Sequence, residues 1–456
     1  MLTDDALLAI FDFCPGEGEG VKEETMAWQT LVHVCRRWRI IVFESPRRLK
    51  LQLVCTSGTP ARKTLDAWPA LPLVVLCYNG RPIENMDNIV AVLECSNRVC
   101  RIELSGLSSS SLGIVSAAMQ EPFPELTQME LSSFDEAVPV LPDSFLGGSA
   151  PHLRILRLNG ISFPGLPKLL PSATHIVHVN LFNIPHSGYF SPEAIVTALS
   201  TLISLEQFRL AFISPQSRPD WANRRPPPLT RSVLPVLTVF AFGGVSEYLD
   251  NLVALIDAPL LNKVNISLFN QIFFDTPQLI QFISRTPKLK PLEKVRVVFD
   301  AKAARVDFLS HTSRYEDLEV RILCEELDWQ ISSMEQVLTS CLPPISTLED
   351  LHIYEARLWK PDRQRNSIEN ALWLDLLRPF TSVKNLYLSW EFAQRIVPAL
   401  QELVEGRTTE VLPSLENIFL EELQTLGPVQ EGIQKFVATR QASHPIAISR
   451  WDTGRT

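Results

Sequence analysis

The chain has 456 residues, of which 46% are apolar and 20% charged, with a formal net charge of −9. It is too long for one ordinary compact core and too apolar to stay unfolded, so several domains or a repeat array are expected. The acidic balance argues against a general nucleic-acid binder, and no apolar run approaches the roughly 18 residues of a membrane span. The eight cysteines (Cys14, Cys35, Cys55, Cys77, Cys95, Cys100, Cys324 and Cys341) form no CxxC pair. Buried thiols in a reducing compartment, cytoplasm or nucleus, are therefore expected. No basic segment leads into an apolar core at the start, so no signal peptide is expected.

In chain order, Thr3 can cap a helix with Asp4 and Asp5 in its first turn and Leu7, Ile10 and Phe11 on one face. The proline and glycines of "CPGEGEG" (14–20) end it as a loop, and without a lysine that stretch is no phosphate cradle. A second helix follows, with Trp28, Leu31, Val32 and Cys35 on one stripe that Trp38 and Val42 prolong up to Ser45-Pro46. Val34, Ile40, Ile41 and Phe43 lie off that stripe. So short a segment cannot bury two apolar faces by itself, and something else must cover part of it.

"LTDDALLAIFDFC" followed by "LVHVCRRWRIIVFESPRRL" resembles an F-box, with Val34, Cys35, Arg36, Arg37 and Trp38 as its most specific part. Two features depart from that family: Thr3 follows Leu2 where a proline is usual, and the loop between the helices is long. The resemblance implies a helical module over residues 1–50 that docks the Skp-type adaptor of cullin–RING ubiquitin ligases. Its candidate contact residues are Leu2, Leu7, Leu8, Ile10, Val34, Cys35 and Trp38. The alternative is a helical cap that closes the core of the next domain.

From residue 51 onward a pattern of apolar, two variable, apolar, one variable, apolar recurs. It runs from "VCRIEL" (99–104) through "LRILRL" (153–158), "LNKVNI" (261–266) and "LEKVRV" (292–297) to "LENIFL" (415–420). Twelve copies end between Leu104 and Leu420, about 29 residues apart, near the upper limit of leucine-rich repeats. "RLKLQL" (48–53) and "LPLVVL" (71–76) are candidate entry strands. Between strands, 191–202 and 276–287 each begin with Ser or Thr followed by proline, a helix start; 246–259 and 391–406 are amphipathic. The expected fold is α/β: a short helical F-box, then an irregular leucine-rich-repeat solenoid over 51–456, its parallel sheet backed by outer helices. The polar cap of regular repeats is replaced by residues such as Leu107, Phe134 and Ile161, so no asparagine ladder is expected there. This plan resembles fungal-type F-box proteins with irregular leucine-rich repeats.

Because side chains alternate along a strand, the third and fifth positions of each copy should face away from the helices. There Glu103 and Glu130 are acidic, and Arg157, Arg209, Lys263, Lys294, Arg296 and Arg321 suggest a basic stripe for an acidic or phosphorylated segment. His352, Tyr387 and Phe419 close the series as an aromatic end. The proline-rich "SRPDWANRRPPPL" (217–229) reads as an extended rim loop. His175 and His178 fall on opposite faces of their strand and cannot share a metal ion. No hydrolase, nucleotide or metal motif is present, so neither catalysis nor a cofactor is expected. The reading is a substrate receptor of a cullin–RING ligase that binds an Skp-type adaptor and a protein target, without nucleic acid or membrane. A repeat scaffold unconnected to ubiquitination is the alternative.

Overall fold

The computed structural model describes the chain except residues 1, 12–26, 46–48, 50, 69, 78–84, 136–138, 216–229, 290–293, 310–316, 343–344, 346, 357–367, 404–409, 422–426, 441–444 and 452–456. The loops expected over 14–20 and 217–229 thus lie outside the described residues. Two compact units are present, Met1–Leu205 and Glu206–Thr456.

The first unit begins with helices Asp4–Phe11, Ala27–Val34 and Arg36–Glu44. Six described strands follow: β1 (Leu53–Cys55), β2 (Leu73–Cys77), β3 (Val99–Leu104), β4 (Gln128–Ser132), β5 (Ile155–Asn159) and β6 (His178–Ile184). They pair in sequence order and all in parallel. The register stacks the fourth residue of each motif on the next, Ile102 on Met129, Leu156 and Val179, all fully buried. The repeat apolars therefore form columns inside the sheet, which no single repeat could bury. The outer layer holds helices such as Met86–Leu93, Ser109–Ala118 and Pro192–Leu199. Ser191 caps the last of these by accepting from the Ala194 N–H at 3.2 Å, as the Ser-Pro start predicted.

Gly160, just after β5, has φ +67°, and a Cβ there would collide with the Ser133 carbonyl of the preceding repeat. Gly160→Ala is expected to cost at least about 2 kcal/mol, because left-handed strain adds to a backbone clash. Denaturant unfolding would check this; a midpoint equal to the parent's would refute the assignment.

The second unit contains β7 (Gln207–Phe212), β8 (Ser232–Val233), β9 (Val239–Gly244), β10 (Ile256–Asp257), β11 (Lys263–Phe269), β12 (Lys294–Phe299), β13 (Ala303–Leu309), β14 (Leu318–Leu323), β15 (Asp350–Glu355), β16 (Asn385–Leu388), β17 (Asn417–Leu420) and β18 (Ala447–Arg450). Its main sheet runs β7-β9-β11-β14-β13-β12-β15-β16-β17-β18, while β8 and β10 pair separately. Here the structure departs from an all-parallel array. β13 is antiparallel to both β12 and β14, so the strand beside β11 is β14 and not the next repeat motif, β12. The cause is a tight reversal after β12. Asp300 donates its N–H to the Ala303 carbonyl at 2.8 Å, and its carboxylate accepts from the Lys302 N–H at 2.7 Å. "AARVDFL" has no repeat motif, and its side chains are buried on both faces of the sheet.

Helices Ser246–Ala254, Pro277–Arg285, Leu327–Ser340, Asn370–Leu377, Trp390–Glu402 and Pro428–Arg440 back this sheet. The expected cap at Thr276 makes no side-chain hydrogen bond to the helix N-terminus. The carboxylate of Asp250, on the neighbouring helix, instead accepts from the Gln278 and Leu279 N–H groups at 2.8 and 3.2 Å. A buried negative charge thus sits at the positive end of that helix.

Candidate functional site

The stripe expected as one helix from Trp28 to Val42 is broken at Cys35. That residue is extended (φ −158°, ψ 168°), and its Sγ caps the next helix by accepting from the Trp38 N–H at 3.4 Å. Thr3 caps the first helix through the Ala6 N–H at 3.3 Å. Arg37 ties the helices together, contacting the Asp4 carboxylate at 2.5 Å and the Leu2 carbonyl at 2.6 Å. Phe11 meets Trp38 edge to face at 4.9 Å.

This packing sorts the candidate adaptor contacts. Leu7 and Leu8 turn inward with Phe11 and are buried, and Trp38 is half-buried. Leu2, Ile10, Val34 and Cys35 face solvent; Val34 is 58% exposed, and Ile40, which the sequence did not single out as a contact, joins them. A charged-to-apolar count cannot separate these groups, because the break at Cys35 rotates the following helix relative to the preceding one.

On the strands, the expected alternation is present: β7 and β11 switch between buried and half-buried residues along their length. The six cations do not form one uninterrupted stripe. Arg157 lies in the first unit, paired with Glu130 at 2.5 Å. In the second unit, the row from Arg209 to Arg296 passes through Ala241, Asn265, Glu319 and Asp307. The inserted strand β13 adds Asp307 to this row, and β14 presents Glu319 there instead of Arg321, the fifth residue of its motif. Asp307 is buried beside Arg305 at 3.1 Å, and Arg321 reaches Asp300 at 3.2 Å. Lys263 sits on β11, and Lys294 lies next to Asp350 across the β12–β15 pair.

Beyond Arg296 the row becomes aromatic. His352 stacks on Tyr387 with centroids 4.0 Å apart, and Tyr387 on Phe419 at 4.4 Å. Trp451, after the last strand, packs edge-on against His352 and Tyr387 at 5.3 and 5.6 Å. Burial, with Lys294 and Arg296 nearby, pushes the His352 imidazole down to about 2, so it is neutral. Beside the rings runs a ladder in which the Asn417 amide donates to Asn385 at 2.8 Å and the Asn385 amide to Asp350 at 2.7 Å. This ladder was legible as the third residue of the last three motifs. Trp451 stands outside every motif and left no such signal.

In the first unit, a shallow cavity of about 470 Å³ is lined by Glu125, Thr127, His152, Arg154, His175, Val177 and Ser204. His175 stacks on His152 at 6.4 Å. Among the described residues, no group of three or more His, Cys, Asp or Glu is placed to hold a metal ion. Among the same residues, no helix is long and apolar enough to cross a membrane. Burial raises the thiols of Cys55 and Cys341 to about 11, which keeps them protonated.

No protein-family model matches the chain, and no curated protein matches it by sequence. Among solved structures, the chain is similar to the leucine-rich repeat-containing protein LegL7 from Legionella pneumophila. That similarity is 13% identity over 85% of this chain and 97% of the other, with a TM-score of 0.28. A likeness of that size carries no weight here; the architecture rests on the strand register above.

Proposed function

We propose that the chain is a substrate receptor of a cullin–RING ubiquitin ligase. In this reading the N-terminal helices dock an Skp-type adaptor, and the sheet faces of the repeats hold a protein target. The reading rests on the F-box resemblance, and one observation carries it further. Ile10, Val34 and Ile40 are exposed on small helices whose inward residues are already buried, and Leu2 is exposed just before the first of them. Apolar side chains left over after a module has formed its own core mark a surface that gains by association. The receptor works by positioning, with no catalytic step and no cofactor, in the cytoplasm or nucleus.

A second reading, a repeat scaffold with a helical cap, is favoured by different contacts. His33 and Phe43 meet Trp68, the residue that follows the helix Ala61–Ala67, edge to face at 6.3 and 6.0 Å. Calorimetry of the full chain against a purified Skp-type adaptor separates the two. The receptor reading expects a Kd of about 1 μM or tighter, with Ile10→Asp plus Val34→Asp weakening it at least about tenfold. Both side chains are exposed, so the double variant should keep the parent's melting temperature. A folded parent that does not bind the adaptor leaves the scaffold reading.

A further inference from the structure

Strands β11 and β14 are parallel neighbours, with Phe269 opposite Leu323, so the segments that follow them leave the sheet at the same rim. Those segments are joined. The Asn270 amide donates to Cys324 Sγ at 3.5 Å, and Ser333 Oγ donates to Asn270 Oδ1 at 3.3 Å. Gln330 anchors the second through the carbonyls of Asp300 and Cys324, at 2.9 and 2.7 Å. Phe274 is buried and pins the first. On this fixed support three large apolar side chains point outward: Ile272 is 71% exposed, Phe273 76% and Trp329 50%.

Scattered exposed apolar residues are ordinary, but three on two mutually bonded segments form a patch. The two segments themselves carry charge of one sign. Residues 270–275 and 324–329 contain Asp275, Glu325, Glu326 and Asp328 and no lysine or arginine. The last three carboxylates surround Cys324 and, after burial, raise its thiol. Nearby cations are Lys302, whose carbonyl accepts from the Cys324 N–H, and Arg321, held by Asp300.

We propose that this rim is a docking surface for a basic amphipathic segment of a partner protein. Large apolar side chains of that segment cover Phe273, Trp329 and Ile272, while its lysines or arginines face the carboxylate border. Aromatic anchors supply the contact energy and the charges select the partner and set the approach. This surface is independent of the adaptor-docking helices and would serve a receptor or a scaffold alike.

The test uses the full chain and three synthetic peptides, titrated by calorimetry at physiological salt. One alternates lysine and leucine at helical spacing, one has glutamate in place of lysine, and one is all lysine. The lysine–leucine peptide is expected to bind at least tenfold tighter than either control. Phe273→Ala with Trp329→Ala should abolish that preference without lowering the melting temperature. Glu325→Lys with Glu326→Lys should shift the preference toward the glutamate peptide. Equal binding of the lysine–leucine and all-lysine peptides would reduce the effect to bulk charge and overturn the proposal. So would an unchanged affinity in the folded Phe273→Ala, Trp329→Ala protein.

Discussion

Replacing Trp373 with alanine is expected to lower the stability of the second unit by about 3–5 kcal/mol. The indole is 1% exposed and belongs to the short helix Asn370–Leu377. It meets Phe392 of the following helix at 5.5 Å and Phe299 of β12 at 6.1 Å, and those two rings stack on each other at 5.0 Å. Three rings from three elements close one contact. Removing the largest leaves a cavity that the two remaining rings, held by helix and sheet, cannot fill. Trp373→Phe should recover part of the loss. Because repeat units can unfold in parts, hydrogen exchange across Leu327–Glu402 should accompany the denaturant curve. Unchanged protection in the alanine variant would show that this cluster does not hold the helices to the sheet.

Lowering the pH from 7 to 4.5 is expected to cost the protein about 2–3 kcal/mol through His352 alone. Its folded pKa, about 2, lies well below the ordinary imidazole value of 6.5. Between those values the unfolded chain binds a proton that the folded chain refuses. The stabilising contribution is therefore complete above pH 6.5 and is lost on acidification by about 1.4 kcal/mol per pH unit. The causes are burial of the ring, which packs against Tyr387 and Trp451, then the charges of Lys294 and Arg296. His352→Phe keeps a ring on Tyr387 and removes the titrating group. The parent should therefore lose more stability than the variant on going to pH 4.5, and the difference isolates His352 from the carboxylates. Parallel pH curves would show that water or a shifted ring lets the imidazole protonate in the folded state.

The repeat strands were legible because the Leu-x-x-Leu-x-Leu motif is the physical cause of the structure: its three apolar positions are the columns that stacking buries. β13 was not legible because its antiparallel pairing with β12 and β14 comes from no repeat, and its pattern of Ala303, Val306 and Phe308 copies none of the motifs. The interruption of the row of cations by Glu319 and Asp307 was not legible either, because counting motifs assumes that successive motifs are spatial neighbours. The cap on the helix Pro277–Arg285 was assigned to Thr276 from local rules, whereas Asp250, 28 residues before the Gln278 N–H that it accepts from, provides it. In the N-terminal helices the residue types were readable but their facing was not. That depended on one extended residue, Cys35, in a stretch whose apolar spacing runs straight through it.

The reversal at β13 also bears on how the second unit can form. An ordinary repeat array grows by adding one repeat to the last, so every contact is local and assembly can start anywhere. Here β11 receives its next neighbour only when β14 arrives, more than fifty residues later along the chain, and β12 must likewise wait for β15 on the other side of the same three strands. The β12–β14 meander is therefore a gate in time. A nascent chain that has emerged only as far as Phe299 has an open edge on β11 and no complete surface to close it. Growth from either end stops there until all three strands zip together.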